Sequence, residues 1–151
     1  MLGAAYADEG VPTQLVPTNA QPLMSTKASG VQVYTCEFDR TRHLAWVLDR
    51  PDATLYDAAG HEVVRHGKGP SWQAHDGSKI IGHVVAQAAS AHPDSIAQLL
   101  LATNAVTSGE LGSVRFVQRL DTVGGLPPAK PCLSEHQTGS SPYLARYVFL
   151  K

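Results

Sequence analysis

The chain has 151 residues, room for one hydrophobic core, and its 12 Lys and Arg against 13 Asp and Glu leave a net charge of −1. No basic cluster supplies the footprint that a phosphate backbone requires, so nucleic acid is not an expected partner. No apolar run approaches the ~20 residues of a membrane-spanning helix, so no transmembrane segment is expected either.

At the start, Ala5-Tyr6-Ala7 before Asp8 has the small-x-small form of a signal-peptidase site, so residues 1–7 read as a signal-peptide remnant or as an ordinary Ala-rich start. Residues 8–29 carry Pro12, Pro17 and Pro22 among small polar residues and read as an extended arm that adds little to the main core. A single domain then occupies residues 30–151.

Val31 to Phe38 alternates as a strand, with Tyr34, Cys36 and Phe38 on one face, and Leu44, Trp46 and Leu48 share a face of the next. Ala53-Thr54-Leu55-Tyr56 and Glu62-Val63-Val64-Arg65 flank Asp57-Ala58-Ala59-Gly60, where Asp begins a type I turn and Gly takes the left-handed position. Asp76-Gly77 fits a two-residue type I′ loop, which would pair Trp72 with Ile81, keep Pro70 and His83 on their face, and send Gln73, His75, Ser78 and Ile80 to the other. Between Pro93 and Thr103, Asp94 can cap a helical turn that leads into a strand through Leu99-Leu100-Leu101. Two more alternating stretches, Ser113–Thr122 and Tyr143–Leu150, complete the pattern. Short strands with Gly and Pro turns and no alternating helices predict an all-β fold, an antiparallel sandwich or barrel with at most one short helical segment.

The two cysteines, Cys36 and Cys132, are nearly a hundred residues apart with no C-x-x-C spacing, which argues against a zinc knuckle or a thioredoxin motif. A disulfide is the favoured reading, with a pair of buried free thiols as the alternative.

Five segments occur in a distinctive order: Gly30-Val31-Gln32-Val33-Tyr34-Thr35-Cys36; His66-x-x-Gly69-Pro70-x-Trp72 with Asp76-Gly77-Ser78; Val117-Gln118-Arg119-Leu120-x-Thr122-x-Gly124-Gly125-x-Pro127; Cys132; and Tyr143-x-Ala145-x-Tyr147-x-Phe149. From Gly30 to the end the chain resembles the domain-of-unknown-function family 3455, found in secreted or periplasmic bacterial proteins and in some filamentous fungi. One departure is Gln98, where members usually carry an aromatic. The resemblance implies a secreted or periplasmic all-β domain with its two cysteines joined, and it names no activity. A dinucleotide enzyme is excluded by the lack of a G-x-G-x-x-G turn and of a βαβ framework.

No nucleophile elbow of the G-x-S-x-G type is present, and Glu37, Glu62, Glu110 and Glu135 sit beside turns or on polar faces, so no catalytic residue is assigned. The seven histidines lack a metal-ligand spacing; hairpin geometry puts His75 and His83 on opposite faces, and neither a metal nor a cofactor is expected. The candidate ligand-binding residues are His66, Trp72, Arg119 and Thr122: an aromatic plate, a switchable donor or acceptor, and a cation beside the Gly124-Gly125 loop. These residues point to a module for an unknown small molecule or glycan. An enzyme using metal or acid–base chemistry at the same residues is the alternative, and a structural envelope domain the third; the sequence leaves oligomeric state open.

Overall fold

Strands whose side chains alternate between two environments, joined by tight turns, can bury one face only by curling or stacking. In the computed structural model, which describes residues 10–151, they curl. Eight strands form one closed antiparallel barrel in sequence order: β1 (Pro22–Phe38), β2 (Leu44–Tyr56), β3 (Glu62–Gly67), β4 (Ser71–Ala74), β5 (Lys79–Ala88), β6 (Gln98–Thr107), β7 (Phe116–Gly124) and β8 (Thr138–Leu150), with β1 paired to β8. The expected all-β antiparallel fold is therefore present, as a barrel rather than a sandwich. The candidate signal remnant, residues 1–7, lies outside the described residues.

Three hairpins share one turn chemistry. Asp57 accepts Gly60 N at its carbonyl (3.0 Å) and donates its own N to His61 O (2.9 Å), with Gly60 at φ 85°, a type I turn closed by a left-handed residue as expected. Asp39 and His43 close the β1–β2 turn in the same way, with Arg42 in the left-handed place at φ 65°. In both, the Asp carboxylate accepts two further backbone N–H groups of its turn, which fixes the loop.

The β4–β5 hairpin adopts this geometry as well, and that corrects the expected type I′ loop. Gly77 N bonds Ala74 O (3.0 Å), Ala74 N bonds Ser78 O (2.9 Å), and Gly77 sits at φ 86° while Asp76 is not left-handed. Asp76 is held by its side chain instead: Oδ1 accepts from Ser78 N and Ser78 Oγ, and Oδ2 accepts from Glu110 N. The longer loop slips the register by one residue, which exchanges faces along a strand. Trp72 thus pairs with Ile80, and both are buried, whereas Ile81 is exposed.

The other corrections concern boundaries. Asp94 has φ 54°, which a helix N-cap does not adopt, so Pro93 and Asp94 form a turn, residues 95–97 are irregular, and β6 begins at Gln98 with no helix between it and β5. β1 starts at Pro22, well before Gly30, because Thr26 to Ser29 pair in full with β8. The rest of the expected arm is not loose. A 3-10 turn, Thr13–Leu15, lays the fully buried Leu15 over an apolar patch on the barrel's outer wall formed by Leu100, Leu120, Val148 and Leu150. Gln118 Nε2 donates to Leu15 O (2.8 Å) and pins it there.

The main core fills the lumen: Ala28, Leu55, Val64, Trp72, Ile80, Leu101, Val117, Tyr147 and Phe149 all belong to it. Antiparallel neighbours place successive turns at alternate ends. The β2–β3, β4–β5 and β6–β7 connections share one end, where Leu111 inserts as a plug, its N bonded to Ser78 Oγ (3.1 Å). The β3–β4, β5–β6 and β7–β8 connections share the opposite end, where Cys132, in the long β7–β8 loop, is bonded to Cys36 on β1.

Two measurements test this arrangement. Leu15→Ala should cost about 2–5 kcal/mol by denaturant unfolding, as for a fully buried leucine, whereas a loose arm would tolerate it within about 0.5 kcal/mol. Intact mass after alkylation without reductant should show no labelled thiol. Reduction should lower stability by at most about 4–5 kcal/mol, since the bond closes a loop with a sequence separation of 96.

Candidate functional site

An eight-stranded barrel is just wide enough for side chains to fill its interior or to hold one small ligand. Here the plugged end is filled and the end carrying the β3–β4 turn is not. A cavity of about 370 Å3 opens there. Its deeply buried lining is Gln32, His66, Trp72, Leu101 and Tyr147; Pro51, Pro70, Leu99 and Arg119 form the walls, and the exposed Leu48 and Val84 stand at the rim.

Each polar group is positioned by backbone. β3 and β4 pair His66 directly with Trp72, and their rings stack at 4.6 Å between centroids, 14° from parallel. His66 Nδ1 lies 2.8 Å from Ser71 O, and since a carbonyl only accepts, Nδ1 carries the proton. Nε2 is then a bare acceptor. Burial drives the His66 pKa down to about 4, and the Arg119 charge adds to the fall, against a smaller upward pull from the Ser71 bond. The imidazole is neutral at physiological pH.

Tyr147 sits beside this pair, its ring 5.0 Å from His66 and 6.2 Å from Trp72. Its hydroxyl contacts that of Tyr143 (3.1 Å) and accepts from Arg119, while burial pushes its phenol pKa up. Arg119 is clamped on the Ala97 carbonyl through Nε (3.0 Å) and Nη2 (2.7 Å), and its charge is felt by His66, Tyr34, Tyr143 and Tyr147 alike. Trp72 packs over Gly82, two residues beyond its partner Ile80, where an added methyl would come to 3.0 Å from the indole.

Among the described residues two buried side-chain atoms lack a hydrogen-bond partner, Gln32 Oε1 and Trp72 Nε1, and both belong to residues lining this cavity. At the rim Asp49 bonds both Arg50 (2.7 Å) and Lys68 (3.3 Å), and these contacts hold its carboxyl below the usual range.

The fold thus brings His66, Trp72 and Arg119 to one cavity. Thr122 is not with them: its hydroxyl is used by the Ile96 carbonyl, and it lies within the β7 irregularity between Leu120 and Val123, outside the cavity lining. Gln98 bonds Ala89 O and Asp121 N, and Leu99 and Leu101 supply the wall. Sequence reasoning passed over Tyr147 and Gln32; the first was visible as an inward position of the Tyr143-x-Ala145-x-Tyr147 alternation, the second as a polar residue on the face of Tyr34 and Cys36.

The other histidines do not converge here. His43 and His61 serve their turns, and His75 bonds the Glu62 carbonyl. Glu37, Glu135 and His136 come within 4.8 Å of one another, a partly or fully exposed ion-pair cluster.

The buried histidine makes stability depend on pH. Unfolded His titrates near pH 6.5 and folded His66 near 4, so between these values the unfolded chain binds the extra proton and stability falls as pH falls. Thermal melts should show a loss on the order of 3 kcal/mol from pH 6.5 to 4. His66→Gln should flatten that slope; an unchanged slope would show that His66 is not buried neutral.

Residues 17–151 match the family described as "Protein of unknown function (DUF3455)". No curated protein and no solved structure matches the chain. A match over nearly the whole sequence places the chain in the DUF3455 family.

Proposed function

We propose that this protein binds one small organic molecule in the open half of its barrel and works outside the cytoplasm, in the periplasm or the extracellular space. The observation that carries the first claim is the combination of an apolar-walled cavity with hydrogen-bonding capacity that the protein leaves unmet, at Gln32, Trp72 and His66 Nε2. Ligand sites are typically 300–1,000 Å3, mainly apolar, with a few converging polar groups, and a buried polar atom without a partner costs ~1–3 kcal/mol until something satisfies it. The Cys36–Cys132 bond supports the compartment, because disulfides persist where thiols are not kept reduced.

The geometry favours a compact guest over a sugar chain. Sugars stack on an aromatic face that is open to them, whereas Trp72 is fully buried with His66 against it. It also favours binding over acid–base catalysis. With its pKa near 4, the neutral His66 has its one N–H spent on the Ser71 carbonyl and only a weakly basic Nε2 to offer, and the neighbouring phenols are pushed up by burial, so these groups are poorly matched for proton exchange at neutral pH.

Titration with the neutral fluorescent dye Nile red tests the reading. The dye should bind with a blue-shifted emission, and Leu99→Trp, which fills the cavity from a half-buried wall position, should weaken binding at least about tenfold while the fold is retained by circular dichroism. Equal binding to both proteins would place the dye elsewhere and remove the case for a lumenal site.

A further inference from the structure

We infer that the guest is an organic carboxylate with an apolar body, its carboxylate seated on Arg119 and its body against Leu48, Pro51, Val84, Leu99 and Leu101. This rests on the binding reading above and assigns the chemistry of its ligand.

The argument starts from Arg119. A guanidinium has five N–H donors and keeps its charge at any physiological pH. Two of these donors are used by the Ala97 carbonyl and one by the Tyr147 hydroxyl, both neutral acceptors. Among the described residues no Asp or Glu forms an ion pair with it, although the other carboxylate near the cavity, Asp49, is already engaged by Arg50 and Lys68. Arg119 is half-buried in the barrel wall, and a partly desolvated cation without a counter-charge favours an anion beside it. The cavity that Arg119 lines is where the missing anion can sit.

The surroundings select the anion. The lining has no acidic residue besides Asp49 and carries Arg50 and Lys68 at its rim, so the local charge attracts anions and repels cations. A planar carboxylate matches the fork geometry of the guanidinium. The walls are aliphatic side chains and two prolines, which an inorganic ion would leave dry and unfilled. Neutral His66 adds a bare acceptor at Nε2, a place for a hydroxyl on the same guest.

Isothermal titration of the full chain with decanoate, decanol and acetate tests the assignment. Decanoate is expected to bind at least about tenfold tighter than decanol, the scale of one charge-assisted hydrogen-bonded pair, and acetate far more weakly than either. Arg119→Gln should erase the preference for decanoate over decanol, and Arg119→Lys, which keeps the charge without the fork, should retain part of it; both are read on protein whose melting confirms folding. Decanol binding as tightly as decanoate, or a preference unaffected by Arg119→Gln, would overturn the carboxylate assignment and leave the lumenal binding reading standing. Acetate binding as well as decanoate would overturn the apolar body. If none of the three binds and Nile red also fails, both the assignment and the reading beneath it fall.

Discussion

The width of the barrel governs everything else. Eight strands closed on themselves give each strand a neighbour on both sides, and they enclose a lumen that a few large side chains can fill. Trp72, Tyr147 and Phe149 occupy the middle, with the indole set edge-on to both of the other rings, and the strands around them contribute small residues such as Ala28, Ala53, Ala74 and Ala145. Any larger residue at those small positions would compete for the same space. The aromatic layer therefore serves as the roof of the packed half and the floor of the cavity, so stability and recognition draw on the same side chains.

Arg119 shows how this sharing works electrostatically. Its clamp on Ala97 fixes the loop before β6, its bond to Tyr147 orients a core phenol, and its charge helps keep His66 deprotonated. One cation thus bears on most polar groups in the lumen, while burial remains the main cause of their shifted protonation. The Asp49 cluster at the rim is different in kind: it is solvent-screened and can shape encounter more than affinity.

The sequence made the strands legible wherever one face was apolar and the other polar, as in Tyr143 to Phe149, and it made the turns legible where Asp starts and a left-handed residue ends them, as at Asp57 and Gly60. It misled at Asp76-Gly77, because the same dipeptide suits both a type I′ loop and the last two places of a three-residue loop; the choice was made by Asp76 reaching Glu110, a contact from a distant loop. The packing of Leu15 ran against the expected loose arm for a similar reason, since nothing local says that a lone leucine among prolines has a patch waiting on the outer wall. Of the site, His66, Trp72 and Arg119 were visible as unusual residue types beside turns. Thr122 is absent from the cavity lining because its hydroxyl is spent on the Ile96 carbonyl, a contact from a distant turn that no local pattern announces.

The seam between β1 and β8 has a kinetic meaning. Every other strand pair joins neighbours in sequence, whereas this one joins residues more than a hundred positions apart, from Thr35 with Thr138 to Pro22 with Leu150. Closing so long a loop is the slow, entropically expensive step of an otherwise local topology. Cys36 follows Thr35 directly, and Cys132 precedes Thr138 by a few residues. In the oxidised chain the seam's first pair is therefore already tethered before any strand forms, and the most distant pairing in the barrel can zip outward from the crosslink as a hairpin does from its turn.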